Sequence, residues 1–110
     1  MQLLIHESAQ RTANGNSGDY IEPDFKISRL VMDVSQISVN LLGSITIKVQ
    51  CSPDGTNWFD IPNLSSNVSA TGAVTVNLSS LFRAGDHLRL VWTFSNANSI
   101  TFTAFLVGEK

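Results

Sequence analysis

Val49-Gln50-Cys51-Ser52-Pro53-Asp54-Gly55-Thr56-Asn57-Trp58-Phe59-Asp60-Ile61 reads as a strand, a tight turn and a second strand. Upstream, Ile45, Ile47, Val49 and Cys51 alternate with Thr46, Lys48 and Gln50, so one face is apolar and the other wet. Pro53 presets φ for the turn, and Asp54-Gly55 supplies residues that tolerate positive φ. Beyond the turn Trp58 and Phe59 point to opposite faces, so at least one ring is expected in the core. The segment marks an antiparallel β-hairpin and carries no obvious chemistry.

Working outward, the same period of two recurs. Val74, Val76 and Leu78 share a face, as do Leu88, Leu90, Trp92 and Phe94, and then Ile100, Phe102, Ala104 and Leu106. Ser95-Asn96-Ala97-Asn98 separates the last two runs, which are expected to pair as a hairpin. Ile27 to Val34 is a strand whose Leu30-Val31-Met32 breaks alternation and marks a bulge or two-sided burial. Val39 to Leu42 is ambiguous. Residues 13–19, rich in Gly and Asn, read as a flexible loop; Asn63 to Gly72 is a polar loop or weak edge strand. Leu78 to Phe82 reads as a turn of 3₁₀ helix. No segment sustains a 3.6-residue period. The expectation is one all-β domain over 1–110: an antiparallel β-sandwich or jelly roll of about seven to nine short strands, with Trp58, Trp92, Phe94 and Phe102 dominating the core. Residues 1–11 are an N-terminal arm or the first strand. Leu3, Leu4, Ile5 and His6 are the candidate interface residues of that arm, because an apolar arm left in water would seek a sheet edge.

Composition narrows the function classes. The net charge is −2 and the seven basic residues are spread from Arg11 to Lys110, so there is no basic stripe for phosphates and no nucleic-acid partner is expected. The apolar runs are far too short to span a bilayer, and the N-terminus lacks the pattern of a signal peptide, so neither membrane nor secretion is expected. Cys51 is the only cysteine and sits in the apolar alternation as a small core residue. Ser, Thr and Asn make up 31 of the 110 residues, a polar but weakly charged surface suited to assembly or to extracellular conditions.

No nucleophile, base and orienting group stand out together. Gly85-Asp86-His87 could hold a histidine base beside a carboxylate, but turn chemistry accounts for it. His6 reads as a surface or interface side chain. His6, Cys51 and His87 lie too far apart for a zinc spacing. Asp19, Glu22 and Asp24 around Pro23, and Asp54 with Asp60 around Trp58, could offer oxygen ligands to calcium but match no calcium loop and read as solvated carboxylates. Asn63, Asn67 and Asn77 open Asn-x-Ser sequons, read as chance products of an Asn- and Ser-rich chain. No enzyme activity, cofactor or metal is expected.

Two resemblances rest on these residues. Ser52-Pro53-Asp54-Gly55-Thr56-Asn57-Trp58, followed by Leu88-Arg89-Leu90, resembles the Ser-x-Asp-Gly-x-x-Trp segment of discoidin-like jelly rolls, which bind glycans or lipid head groups. The same turn, with Val49-Gln50 before it and Leu88-Arg89-Leu90-Val91-Trp92-Thr93 opening the last strands, is similar to small β-sandwich structural proteins of tailed bacteriophages over roughly residues 45–107. The second resemblance implies a virion component assembled in the host cytoplasm: a capsid decoration (cement) protein, or a tail or neck part. Its partners would be itself, as a homotrimer, and capsid or tail proteins. The first implies a carbohydrate-binding module; the resemblance places no ligand loop on particular residues, and Tyr20, Phe25 and Phe59 are nominated as the aromatics that would stack on a glycan.

Overall fold

Period-two alternation becomes seven strands, all paired antiparallel: β1 (Gln2–Arg11), β2 (Gly15–Asn16), β3 (Tyr20–Ile21), β4 (Lys26–Ser52), β5 (Phe59–Val68), β6 (Gly72–Arg83) and β7 (His87–Glu109). The computed structural model describes residues 2–83 and 85–110, so Met1 of the expected arm lies outside the described residues. Two of the strands are far too long for the molecule. At about 3.3 Å per residue an extended 27-residue strand would span about 90 Å, yet the longest dimension is 40 Å. β4 and β7 therefore bend together. Trp92 and Phe102 lie on the same strand, and their ring centroids are 5.9 Å apart.

The bend turns one hydrogen-bonded sheet into two facing layers. In one, β1 pairs with the second half of β7, which pairs with the first half of β4, which pairs with β6. In the other, β2 and β3 pair with the first half of β7, which pairs with the second half of β4, which pairs with β5. The inward faces supply one core: Leu30, Met32 and Phe102 from the first layer meet Ile47, Leu90 and Trp92 from the second. The all-β antiparallel sandwich expected from alternation is the architecture observed.

Several local expectations are corrected. The segments Leu88–Phe94 and Ile100–Val107 do not pair with each other: both belong to β7, lie in opposite layers and each pairs with β4. A four-residue polar spacer serves a hairpin or a corner equally well. The partner strand decides, since β4 runs beside both halves. Leu78–Phe82 is part of β6 and not a 3₁₀ turn; Leu78–Ser79–Ser80–Leu81 bulge out opposite Ser28, between the pairs Ile27–Phe82 and Arg29–Asn77. Asn63 to Gly72, by contrast, follows its edge-strand reading: residues 63–68 belong to β5 at the edge of the sheet, where Pro62 has no ladder partner.

The loop read as flexible is stitched to β7. Trp92 Nε1–H donates to Ala13 O at 3.0 Å, and Phe94 N–H to Asn14 Oδ1 at 2.6 Å. Ser17 both donates its N–H to Leu90 O and accepts from Leu90 N–H through Oγ, each at 2.9 Å. Neither Trp58 nor Phe59 enters the core. Phe59 is 60% exposed, and Trp58 lies half-buried beneath the Arg89 guanidinium, 4.3 Å from its ring centroid. At that edge Ile61, Leu64 and Val68 of β5 fill the space instead.

Candidate docking face at the corner of the sandwich

The corner where β4 and β7 turn over is built from an irregular register. Val39 faces Ala97 and Ser44 faces Ser95, so Asn40-Leu41-Leu42-Gly43 bulge out opposite Asn96 alone. Asparagine side chains, which bond readily to nearby backbone, hold the bulge. Asn40 Nδ2 donates to Asn96 Oδ1 at 3.0 Å, and Asn96 Nδ2 donates to Leu41 O at 3.0 Å. Asn98 Nδ2 bridges Ser38 Oγ and Asn40 Oδ1, each at 3.2 Å. Asn96 takes a positive φ of 53°, and Leu42 one of 62°. Asparagine tolerates that region; leucine rarely does.

The result is an apolar tip. Leu41 is 86% exposed and Leu42 96%. The four-residue bulge in β5, Ile61 to Leu64 opposite Val49, makes the contrast plain: there Ile61 and Leu64 turn inward to 3% and 0% exposure. A bulge can bury its apolar residues; the corner bulge presents them. The stretches 34–47, 61–82 and 90–108 carry no charged residue, and on the β1 side Arg11 pairs opposite Ile100 near the corner. The opposite end gathers charged groups: Arg83 pairs with Asp24 at 3.1 Å and Lys110 with Glu22, and Asp19 is hydrogen-bonded to the His87 ring at 2.7 Å. An aliphatic centre rimmed by uncharged Ser and Asn has the chemistry of a protein-contact surface, where charge is depleted at the core.

The residues nominated from sequence are scattered. Gln2–Arg11 is β1, paired with β7 of its own chain. Ile5 and His6 are 0% and 2% exposed, so they are core residues and not a free arm; Leu3 is half-buried, and Leu4 is 39% exposed. A register shift on each side of His6 lets two successive residues point inward. Of the three candidate ligand-facing aromatics, Phe25 is fully buried and is corrected to a core ring, Tyr20 packs half-buried against the core, and only Phe59 is open to solvent. The carboxylates around Pro23 each have a partner: Asp19 the His87 ring, Glu22 the Lys110 ammonium and Asp24 the Arg83 guanidinium. His87 bonds Asp19 and not its neighbour Asp86.

The outer face of the second layer carries a polar row. Arg89 Nε–H donates to Gln50 Oε1 at 2.8 Å, Gln50 Nε2 to Asp60 Oδ1 at 2.8 Å, and Lys48 Nζ to Asp60 Oδ2 at 3.2 Å. The Gln50 hydrogen bond first, and then Lys48, hold the Asp60 carboxyl below its usual range. These groups satisfy one another and brace the sheet. In the turn, Asp54 accepts from the Asn57 and Thr56 N–H groups, each at 2.9 Å, and from the Asn57 side chain; these bonds hold its carboxyl well below the usual range. Buried Ser52 Oγ accepts from the Asp54 and Gly55 N–H groups. The motif read first in the sequence is thus a self-capped turn.

Sequence reading missed the Leu41–Leu42 tip. The available signal was an adjacent leucine pair between Asn40 and Gly43, two turn formers, inside a stretch without alternation.

No family model matches the chain, and no curated protein matches it. Solved structures share its fold. The capsid of Ralstonia phage GP4 contains a chain that aligns with 100% of this one and 83% of its own length, at TM-score 0.53 and 18% identity. The low-affinity xylan-binding module CBM86 of Roseburia intestinalis aligns with 99% of this chain and 95% of its own, at TM-score 0.51 and 13% identity. A phage capsid chain and a carbohydrate-binding module are thus both among the proteins similar in fold, as the two sequence resemblances implied.

Proposed function

We propose that this chain is a non-enzymatic structural protein of a bacteriophage virion, a decoration protein that seats the corner bearing Leu41 and Leu42 on the shell. The observation that carries the reading is the exposed Leu41–Leu42 pair, held in a fixed bulge between the uncharged stretches 34–47 and 90–108. The fold shared with the Ralstonia phage GP4 capsid chain supports it. Two leucines supply only a fraction of the roughly 800 Å² a side that a stable interface buries. The contact would therefore gain strength from repetition, through homotrimers engaging a symmetric shell at several points.

Two measurements test this. Light scattering behind size exclusion should give three times 12.0 kDa, although a monomer that binds the shell would sink only the trimer. In sedimentation with DNA-free shells of the phage that encodes the chain, wild-type protein should pellet in fixed ratio to the shell protein. Leu41→Ser/Leu42→Ser, still folded, should stay in the supernatant. Folded wild-type protein that never pellets would overturn the reading.

A carbohydrate-binding role is the second reading, favoured by the open Phe59 ring and by the fold likeness to CBM86. It predicts saturable xylan or glycan-array binding that Phe59→Ala abolishes.

A further inference from the structure

We propose that β1 is an acid-released strand: protonation of His6 detaches Gln2–Arg11 from β7 while the remainder of the sandwich stays folded. The inference rests on geometry at the sheet edge. His6 Nδ1 lies 2.9 Å from the Phe102 carbonyl oxygen, and Arg11 Nε lies 2.9 Å from His6 Nε2. Arginine can only donate, so Nε2 must be the bare acceptor and Nδ1 must carry the proton that bonds the carbonyl. The folded arrangement therefore demands a neutral imidazole in one tautomer. A second proton has one place to go, Nε2, where it would point at the guanidinium.

What the surroundings return to a charged ring is less than burial takes away. The imidazole stacks flat on the Phe102 ring, centroids 3.9 Å apart and planes 1° from parallel, and meets the Trp92 ring edge-on at 5.2 Å. β7 thus faces it with two neutral rings and a carbonyl. From β1 itself come Arg11, whose guanidinium lies over Trp92 at 4.8 Å, and the exposed Glu7. The recess beside the ring is completed by the Tyr20 phenol of β3 and by Ser17. Among the described residues no carboxylate bonds the imidazole. Burial lowers the His6 pKa from 6.5 and outweighs the opposing hydrogen bond to the Phe102 carbonyl, and the Arg11 charge adds the smallest contribution, again downward.

The strand is also the one suited to leave. Among the described residues β1 pairs only with β7, and its register breaks between Leu4 and His6 and again between His6 and Ala9. His6 thus anchors a ladder interrupted on both sides. The released strand has an ordinary histidine and the docked strand a depressed one, so docking is at full strength above pH 6.5 and weakens as pH falls below it through the docked value. Release leaves the β7 edge open to an added strand.

Amide hydrogen exchange, corrected for the intrinsic pH dependence, at pH 7.5 and pH 5 tests this. Protection of β1 and of its partners in β7 should fall roughly tenfold for each unit by which the docked His6 pKa lies below 6.5, up to the limit of about thirtyfold that pH 5 allows. The β4–β5 and β4–β6 pairs should keep theirs. His6→Gln, which can donate to the carbonyl and accept from Arg11 without titrating, should abolish the effect; His87→Gln should leave it intact. Should His6→Gln fail to fold, the His6 ring resonances of wild-type protein must titrate below 6.5 with the same midpoint as the β1 amides. Uniform loss of protection in every strand, an unchanged effect in His6→Gln, or a His6 midpoint at or above 6.5 would each overturn the proposal.

Discussion

Gly43 passes so close to Asn96 that a Cβ on residue 43 would fall 2.0 Å from the Asn96 carbonyl oxygen. That approach lets four residues of β4 loop out against one residue of β7, and so lets the paired strands turn their corner. Gly43→Ala should therefore force the two backbones apart. Overpacking typically costs about 1–3 kcal/mol, and a clash with backbone belongs at the upper end. Urea denaturation measures it; a loss below about 0.5 kcal/mol would mean the corner is soft.

Leu42 should behave in the opposite way. Its φ of 62° costs an L-residue roughly 1–2 kcal/mol, and its side chain is 96% exposed. Leu42→Gly removes that strain but adds unfolded-state entropy worth roughly 0.5–1 kcal/mol. The variant should match wild-type stability or exceed it by about 1 kcal/mol, while binding shells less well. Leu64→Ala in the inward-turned bulge should instead cost about 2–5 kcal/mol.

The two aromatic sites on either side of the core boundary separate as sharply. Phe25 is 0% exposed, and Phe25→Ala should cost about 3–5 kcal/mol by thermal and urea unfolding. Phe59 is 60% exposed, and its replacement by Ala should stay within about 0.5 kcal/mol.

The Arg89 guanidinium over Trp58 should register in a double-mutant cycle. With Arg89→Met and Trp58→Leu the coupling should be about 0.5–1 kcal/mol, the range for a half-exposed cation–π pair. No coupling would mean that the guanidinium is held by Gln50 alone.

Asp54 sets an acid limit on the turn. Its carboxyl is held below 3.8 by the Asn57 and Thr56 N–H groups, so its contribution to stability is complete above 3.8 and is lost as pH falls below that value through the folded one. Asp60 shifts in the same direction, so the readout is a difference. Stability measured between pH 5 and pH 2 should fall less steeply in Asp54→Asn than in wild type.

The alternation of Ile45, Ile47 and Val49, and that of Leu88, Leu90 and Trp92, determined the strands and their buried faces, because a period of two has one reading when one side must leave water. Ser52 to Asn57 likewise determined its own turn, since every bond that caps it is local. Such features need no distant partner. The pairing of the two β7 halves with β4 was decided only in three dimensions, because Ser95–Asn98 fits a hairpin as well as a corner and the choice lies with a strand some fifty residues away. The same holds for His6, buried by a bulge that breaks alternation, and for Leu41 and Leu42, which face water because Gly43 and Asn96 touch. Side-chain direction at a bulge follows from where two strands lose register, and register belongs to the pair rather than to either strand.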